Sequence, residues 1–252
     1  MIPTAMATRY VAPLREGGSL PGLVEADDLG TYVMKFRGAG QGLKALVAEV
    51  IVGELARRVG LRVPEMKALL LSEEIGRYEA DQEVQDLLKA SIGLNLGIDF
   101  LPGSFGYDGV SFRPSQGEAA RILWLDAFVA NVDRSWRNPN LLVWHRTLWC
   151  IDHGASLYFH HNWPAASPGR FAVQPFDAGD HIFAELAGGE VNQAEEELVA
   201  AITAPLLEEV LDQVPDEWLE PAPGNESPEA VRNLYLQFLL ARLDGRSSWR
   251  PE

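Results

Sequence analysis

The stretch NVDRSWRNPNLLVWHRTLWCIDHG, Asn131 to Gly154, decides how the rest of the chain is read. Asp133 is followed five positions later by Asn138, then by the apolar runs Leu141 to Trp144 and Leu148 to Ile151, and then by Asp152-His153-Gly154. The polar interruption His145-Arg146-Thr147 predicts a turn between two paired strands, which would carry Asp152 back beside the loop bearing Asp133. A carboxylate placed like Asp133 can orient a hydroxyl and take its proton, while Asn138 and Asp152 offer hard oxygen ligands for Mg²⁺ against phosphates. Without the strands, Asp133 and Asn138 fit an Asn/Asp-rich turn after a helix instead.

Upstream, TYVMKF at 31–36 alternates as a strand, with Thr31, Val33 and Lys35 on one face. A lysine in a half-buried strand needs an anion or an escape route for its stem. The following helix, Leu43 to Val59, offers Glu49 and Glu54. Glu54 has Arg58 four residues on, the ordinary solvated pairing. Glu49 sits about 140° round the helix from Glu54, on a small apolar face with Ala45, Val52 and Ala56. The expected pair is therefore Lys35 with Glu49; the alternative is a surface ion pair worth at most about 1 kcal/mol. GGSLPG at 17–22 and Gly38-Ala39-Gly40-Gln41-Gly42 are either loops whose N–H groups approach phosphate or plain connections, and neither is a Walker or Gly-x-Gly-x-x-Gly pattern.

GSLP at 18–21, YVMKFRGAGQG at 32–42, AEVIVGELARRVGLRVPE at 48–65, LNLGIDFL at 94–101, NVDRSWRNPNLL at 131–142 and IDHG at 151–154 come in one order along the chain. In that order they resemble the HipA-like kinase family, an atypical branch of the protein-kinase-like fold related to phosphoinositide-type kinases. The resemblance implies an α+β, bilobal fold. Residues 1–99 would form a small mixed N-lobe with an antiparallel sheet and one helix, and residues 100–252 a mainly helical C-lobe. It implies that Lys35 grips the phosphates of ATP, Glu49 orients Lys35, Asp133 is the catalytic base, and Asn138 and Asp152 hold Mg²⁺. Gly18 and Ser19 would approach the phosphates, and Asn95 and Gly97 would touch the nucleotide at an interlobe hinge running to Leu101. Two departures stand out: His153 occupies the place of the usual Phe, and Asn131-Val132 precedes Asp133 where His-Arg is common. Arg134 would then position substrate or phosphate. Asn140 competes with Asn138 for the metal, and spacing favours Asn138. The chain is also shorter than full HipA-type toxins.

The 252 residues carry a formal charge of −15, from 21 basic and 36 acidic side chains, which opposes nucleic-acid binding through phosphate contacts. The single cysteine, Cys150, lies in an apolar run and reads as a small buried hydrophobe. No apolar stretch is long enough to span a membrane and MIPTAMATRYVAPL lacks the features of a signal peptide, so the expectation is a cytosolic protein. Further helices are expected at about 80–90, Glu118 to Asn131, Gln193 to Val214 and Ser227 to Leu243, the last two separated by EPAPGNESP.

Residues 160–183 are either a packed surface loop or an acceptor-binding segment using Arg170, Asp177, Asp180 or His181. His160, His161 and His181 lack the spacing of a structural zinc site. The leading expectation is an ATP- and Mg²⁺-dependent kinase acting on a hydroxyl of a protein Ser/Thr or a small molecule. The alternative is a catalytically silent nucleotide sensor. A metal-dependent hydrolase built on Asp133, Asp152 and His153 leaves Lys35 and Glu49 unexplained.

Overall fold

The computed structural model describes residues 1–14, 20–40, 42–76 and 79–251. Alternating side chains make strands β1 (Thr4–Pro13), β2 (Gly22–Ala26), β3 (Thr31–Lys35), β4 (Met66–Leu71) and β5 (Gly93–Asp99), separated by helices α1 (Gly42–Arg58) and α2 (Gln82–Ala90). The strands close into a barrel in the order β1-β2-β3-β5-β4. Closure comes from a parallel pairing of Thr4, Ala5 and Met6 with Ala68, Leu69 and Leu70. The expected antiparallel sheet is corrected accordingly: β1 is long enough to pair with β2 along one stretch and with β4 along another, which leaves no open edge between them. The single helix expected beside the sheet is corrected too. α1 is accompanied by α2, which lies where the sequence predicts a helix at about 80–90 and which Asp81 starts by accepting a hydrogen bond from the Glu83 N–H.

The pleat sends alternate residues to different partners. Leu69 and Leu71 cluster with Val24, Tyr32, Met34 and the α2 residues Val84 and Leu88. Met66, Ala68, Leu96 and Ile98 instead join the apolar flank of α1, where every residue from Ala45 to Ala56 is buried.

The later residues are mainly helical: α3 (Gln116–Val129), α4 (Pro168–Ala172), α5 (Ala184–Ala187), α6 (Val191–Ala201), α7 (Ala204–Leu211) and α8 (Pro228–Asp244). A small sheet orders β6 (Phe105–Gly106), β7 (Leu141–Trp144) and β8 (Thr147–Cys150) side by side. The expected helix from Gln193 to Val214 is two helices. Thr203 caps α7 by accepting from the Leu206 N–H, and Pro205 in its first turn has no N–H with which to continue α6. Ser227 and Pro228 start α8 as expected. One apolar core runs through the whole assembly, joining Val50, Leu55 and Leu96 to Leu123, Phe128, Leu207, Trp218 and Tyr235. Among the described residues, no helix is long and apolar enough to cross a membrane.

Candidate active site

Lys35, the last residue of β3, reaches the middle of α1 and meets the Glu49 carboxylate, as the helical geometry predicts. Its ammonium also donates to Asp152 Oδ1 at 2.6 Å. Burial alone would lower the Lys35 pKa, but Glu49 and then Asp152 outweigh it and hold the group above its ordinary value. Burial likewise pushes Asp152 up, and Lys35 more than offsets this, leaving the carboxyl below its usual range. Glu49, 1% exposed, is raised by its burial despite Lys35. Its Oε1 accepts a second bond, from the Gly154 N–H at 2.8 Å. A Cβ at Gly154 would come within 3.2 Å of that oxygen, so a larger residue there would push on the carboxylate that holds Lys35. Lys35, Glu49, Asp152 and Gly154 line one small pocket of about 30 Å³ with Phe36, Ala39 and Leu46.

Asp133 lies on the loop that follows α3. The side chains of Asn138 and Asn140 both donate to its Oδ2, at 2.9 and 3.0 Å. Asn131 fixes the loop from the other side, its Oδ1 accepting from the Asp133 N–H at 3.1 Å. This arrangement leaves the amide oxygens of Asn138 and Asn140 and the Asp133 Oδ1 without a protein hydrogen bond among the described residues.

Arg134 does not face a substrate. It is 2% exposed and donates through Nε to Asp126 Oδ2 at 2.6 Å, and through Nη1 to the carbonyls of Asn140 and Ile151. Its Nη2 meets His153 Nδ1 at 3.2 Å. The expectation that Arg134 positions substrate or phosphate is therefore corrected. The apolar surroundings of α3 draw it inward to a carboxylate that would otherwise be stranded. Asp126 also accepts from Asn131 at 2.9 Å and from His181 Nε2 at 3.0 Å. Burial would raise the Asp126 carboxyl, but Arg134, then His181 and His153, hold it at about 2. His153 is pushed to about 3 by burial and by Arg134, so it is neutral and serves as an acceptor for the guanidinium. Arg134 thus ties the loop of Asp133 to the strand end that presents Asp152. Arg242 secures the loop's start by donating to the last carbonyls of α3, Ala127 and Phe128.

Sequence reasoning missed Asp126, although its signal was present: a carboxylate inside the run Ile122-Leu123-Trp124-Leu125-Asp126-Ala127-Phe128-Val129 demands a buried partner. Two residues that the resemblance implies as nucleotide contacts, Asn95 and Gly97, are packed into the barrel. Asn95 is fully buried and spends its amide on the barrel backbone, accepting from Arg37 N–H at 2.9 Å and donating to the Ser91 and Gly93 carbonyls. Gly97 is absorbed in β5, where an added Cβ would meet Leu69 Cδ1 at 2.4 Å. Gly18 and Ser19 lie outside the described residues. The histidines diverge, His160 to the Tyr235 hydroxyl at 2.8 Å and His181 to Asp126. With His153 turned to Arg134, the hydrolase arrangement has no imidazole to offer. Cys150 is buried and its thiol is pushed up to about 12, as befits a packing residue.

Among the described residues, no group of three or more His, Cys, Asp or Glu could hold a metal ion. That is compatible with Mg²⁺, which keeps several waters and takes only one or two carboxylates beside substrate phosphates. The half-exposed Asp152 carboxylate and the free amide oxygens at Asn138 and Asn140 are donors of the right hardness.

A barrel carrying a Lys–Glu pair, apposed to helices that carry an Asp loop and a second carboxylate after a hairpin, is the protein-kinase-like class of architecture. The fold matches that of a Helicobacter pylori proinflammatory kinase, CtkA, with a TM-score of 0.58 at 12% identity over 96% of each chain. A Golgi casein kinase, solved also with Mn/ADP bound, aligns over 98% of this chain and 72–74% of its own at 12% identity, with TM-scores of 0.43 and 0.44. The family model for HipA-like kinases matches residues 8–252, and the chain belongs to that family. No curated protein matches it.

Proposed function

We propose that this chain transfers the γ-phosphoryl group of ATP to a hydroxyl of a protein or small-molecule acceptor, the nucleotide lying between the barrel side, residues 1–99, and the Asp133 side, residues 100–252. The observation that carries this reading is the engagement of Lys35 by both Glu49 and Asp152. It brings a phosphate-binding cation to the carboxylate best placed to hold Mg²⁺.

Lys35, already held by Glu49, exchanges Asp152 for phosphate oxygens when nucleotide enters. Asp152, with Asn138 or Asn140, would hold Mg²⁺, which neutralises charge on the phosphates. Asp133 presents Oδ1 to the acceptor hydroxyl while Asn138 and Asn140 fix Oδ2. The hydroxyl oxygen bonds to the γ-phosphorus as the bond from that phosphorus to the β–γ bridging oxygen breaks. The proton passes to Asp133 and ADP departs.

The test is transfer from γ-labelled ATP with Mg²⁺, alone and with cell extract. Asp133→Ala should lower transfer by about 10²- to 10⁴-fold while ATP still raises the melting temperature. Transfer undiminished in that variant would sink the assignment. ATP-driven stabilisation of the unaltered protein without transfer to any acceptor would favour a nucleotide sensor.

A further inference from the structure

We propose that Glu217 and Trp218 are positioning residues for Lys35: from the helical half they clasp the ends of β3 and β5, so that the lysine stands against Asp152 before nucleotide arrives. This rests on the phosphotransfer reading above. Lys35 closes β3, and the chain leaves the barrel at Arg37. Two contacts pin that exit from within the barrel: the Arg37 N–H donates to Asn95 Oδ1 at 2.9 Å, and the Gly38 N–H to Ser91 Oγ at 3.2 Å. A third comes from beyond α7, where Glu217 Oε1 accepts from Arg37 Nη1 at 2.8 Å. Gly93 leaves room for that guanidinium, since an added Cβ would stand 2.7 Å from Arg37 Nη1. The next residue, Trp218, is fully buried and donates to the Leu94 carbonyl at 3.0 Å. β5 is the neighbour of β3, with Leu96 opposite Lys35. Adjacent residues of one turn therefore hold both strands that place the lysine.

The turn is itself anchored to the helices. Arg232 of α8 donates to the Leu211 carbonyl at 3.1 Å, to the Val214 carbonyl at 2.6 Å and to Asp216 Oδ1 at 2.5 Å. α7 and the turn also pack against α1, the helix that carries Glu49, and Trp218 shares the core of Val50 and Leu55. Both members of the Lys35–Glu49 pair are thus set by one segment. Asp152 belongs to the same half, because Arg134 donates to the Ile151 carbonyl just before it.

An exposed ion pair such as Arg37 with Glu217 adds little to the stability of a fold. Its place two residues after Lys35 gives it a different use. A conformer in which the end of β3 swings from the helical half cannot offer the ammonium to phosphate, and apparent affinity falls with the fraction of chains that are competent. Charge alone predicts the opposite sign at one position: turning Glu217 into a cation would draw ATP in more strongly. A broken clasp loosens ATP whichever of the two charges is reversed.

The test titrates the full chain with Mg²⁺ and a non-hydrolysable ATP analogue by calorimetry. Glu217→Arg and Arg37→Glu should each weaken binding about three- to fivefold, and the two exchanges combined in one chain should restore it. Hydrogen exchange without nucleotide should quicken at the Gly38 and Gly154 N–H groups in each single variant and return to the original rate in the combined one. Tighter binding in Glu217→Arg, or failure of the combined exchange to rescue affinity, would overturn the proposal. So would exchange rates that are alike in all four proteins. Exchange rates that follow the expected pattern while no protein binds the analogue would uphold the clasp and count against the kinase reading. Label transfer that Asp133→Ala abolishes, with affinity and exchange untouched by either charge reversal, would do the opposite.

Discussion

Arg134 is a fork held on every prong: one carboxylate, the carbonyls of two separate segments and an imidazole. Replacing it with Met leaves Asp126 charged and buried without its main partner, a change that costs about 3–5 kcal/mol. Arg134→Lys keeps the charge but cannot span the same acceptors, and should lose part of that amount. Urea denaturation of the three proteins checks the order. The Lys35–Glu49 pair was readable from the sequence because a helical wheel isolates Glu49 from the arginines of α1. Arg134 was not, because its partners come from α3, from its own loop and from the end of β8, and only the folded chain brings those together. Asn95 misled for a related reason: an amide in a strand looks available until the backbone that it satisfies is known.

At the scale of elements, the hairpin of β7 and β8 turns through His145 and Arg146, both in the left-handed region at φ 48 and 60°. Two such residues match the strand twist of a two-residue hairpin, but side chains there are strained. His145→Asn with Arg146→Gly should stabilise the protein by about 1 kcal/mol, read as a higher melting temperature with nucleotide-driven stabilisation retained. An unchanged or lower melting temperature would count against it. The hairpin, α1, α3 and α8 were all legible, since apolar periodicity and Ser caps are local signals. The break between α6 and α7 was also written locally, in Thr203 and Pro205, and was overlooked because the apolar pattern continues across it. Barrel closure had no such signal. Parallel pairing of β1 with β4 joins residues more than sixty positions apart, and nothing in either strand names the other.

At the scale of the molecule, acid should act through two neutral imidazoles. His153 is held at about 3 by burial and Arg134, and His160 at about 3 by burial and then His161. Their folded values lie below the unfolded one of about 6.5, so the unfolded chain binds protons that the native state refuses. Stability from both is therefore complete above about pH 6.5 and declines by about 1.4 kcal/mol per pH unit for each, down to about pH 3. Asp126, held at about 2, adds a further loss below its unfolded value of about 3.9. Melting temperatures across this range should slope accordingly, and His160→Gln should flatten the slope. A flat profile between pH 6 and 4 would contradict the assignment.

The apolar core that passes from α1 through α3 to Trp218 ignores any frontier near residue 100. Trp218 even donates to the Leu94 carbonyl at 3.0 Å, and the Ile2 N–H to the carbonyl of Gln213 at 2.9 Å, so the two ends of the chain are stitched together. Severed near that position, each fragment would bare the oily surface that the other covers and aggregate on its own. Co-expressed, the two pieces should find one another and refold as a complementation pair.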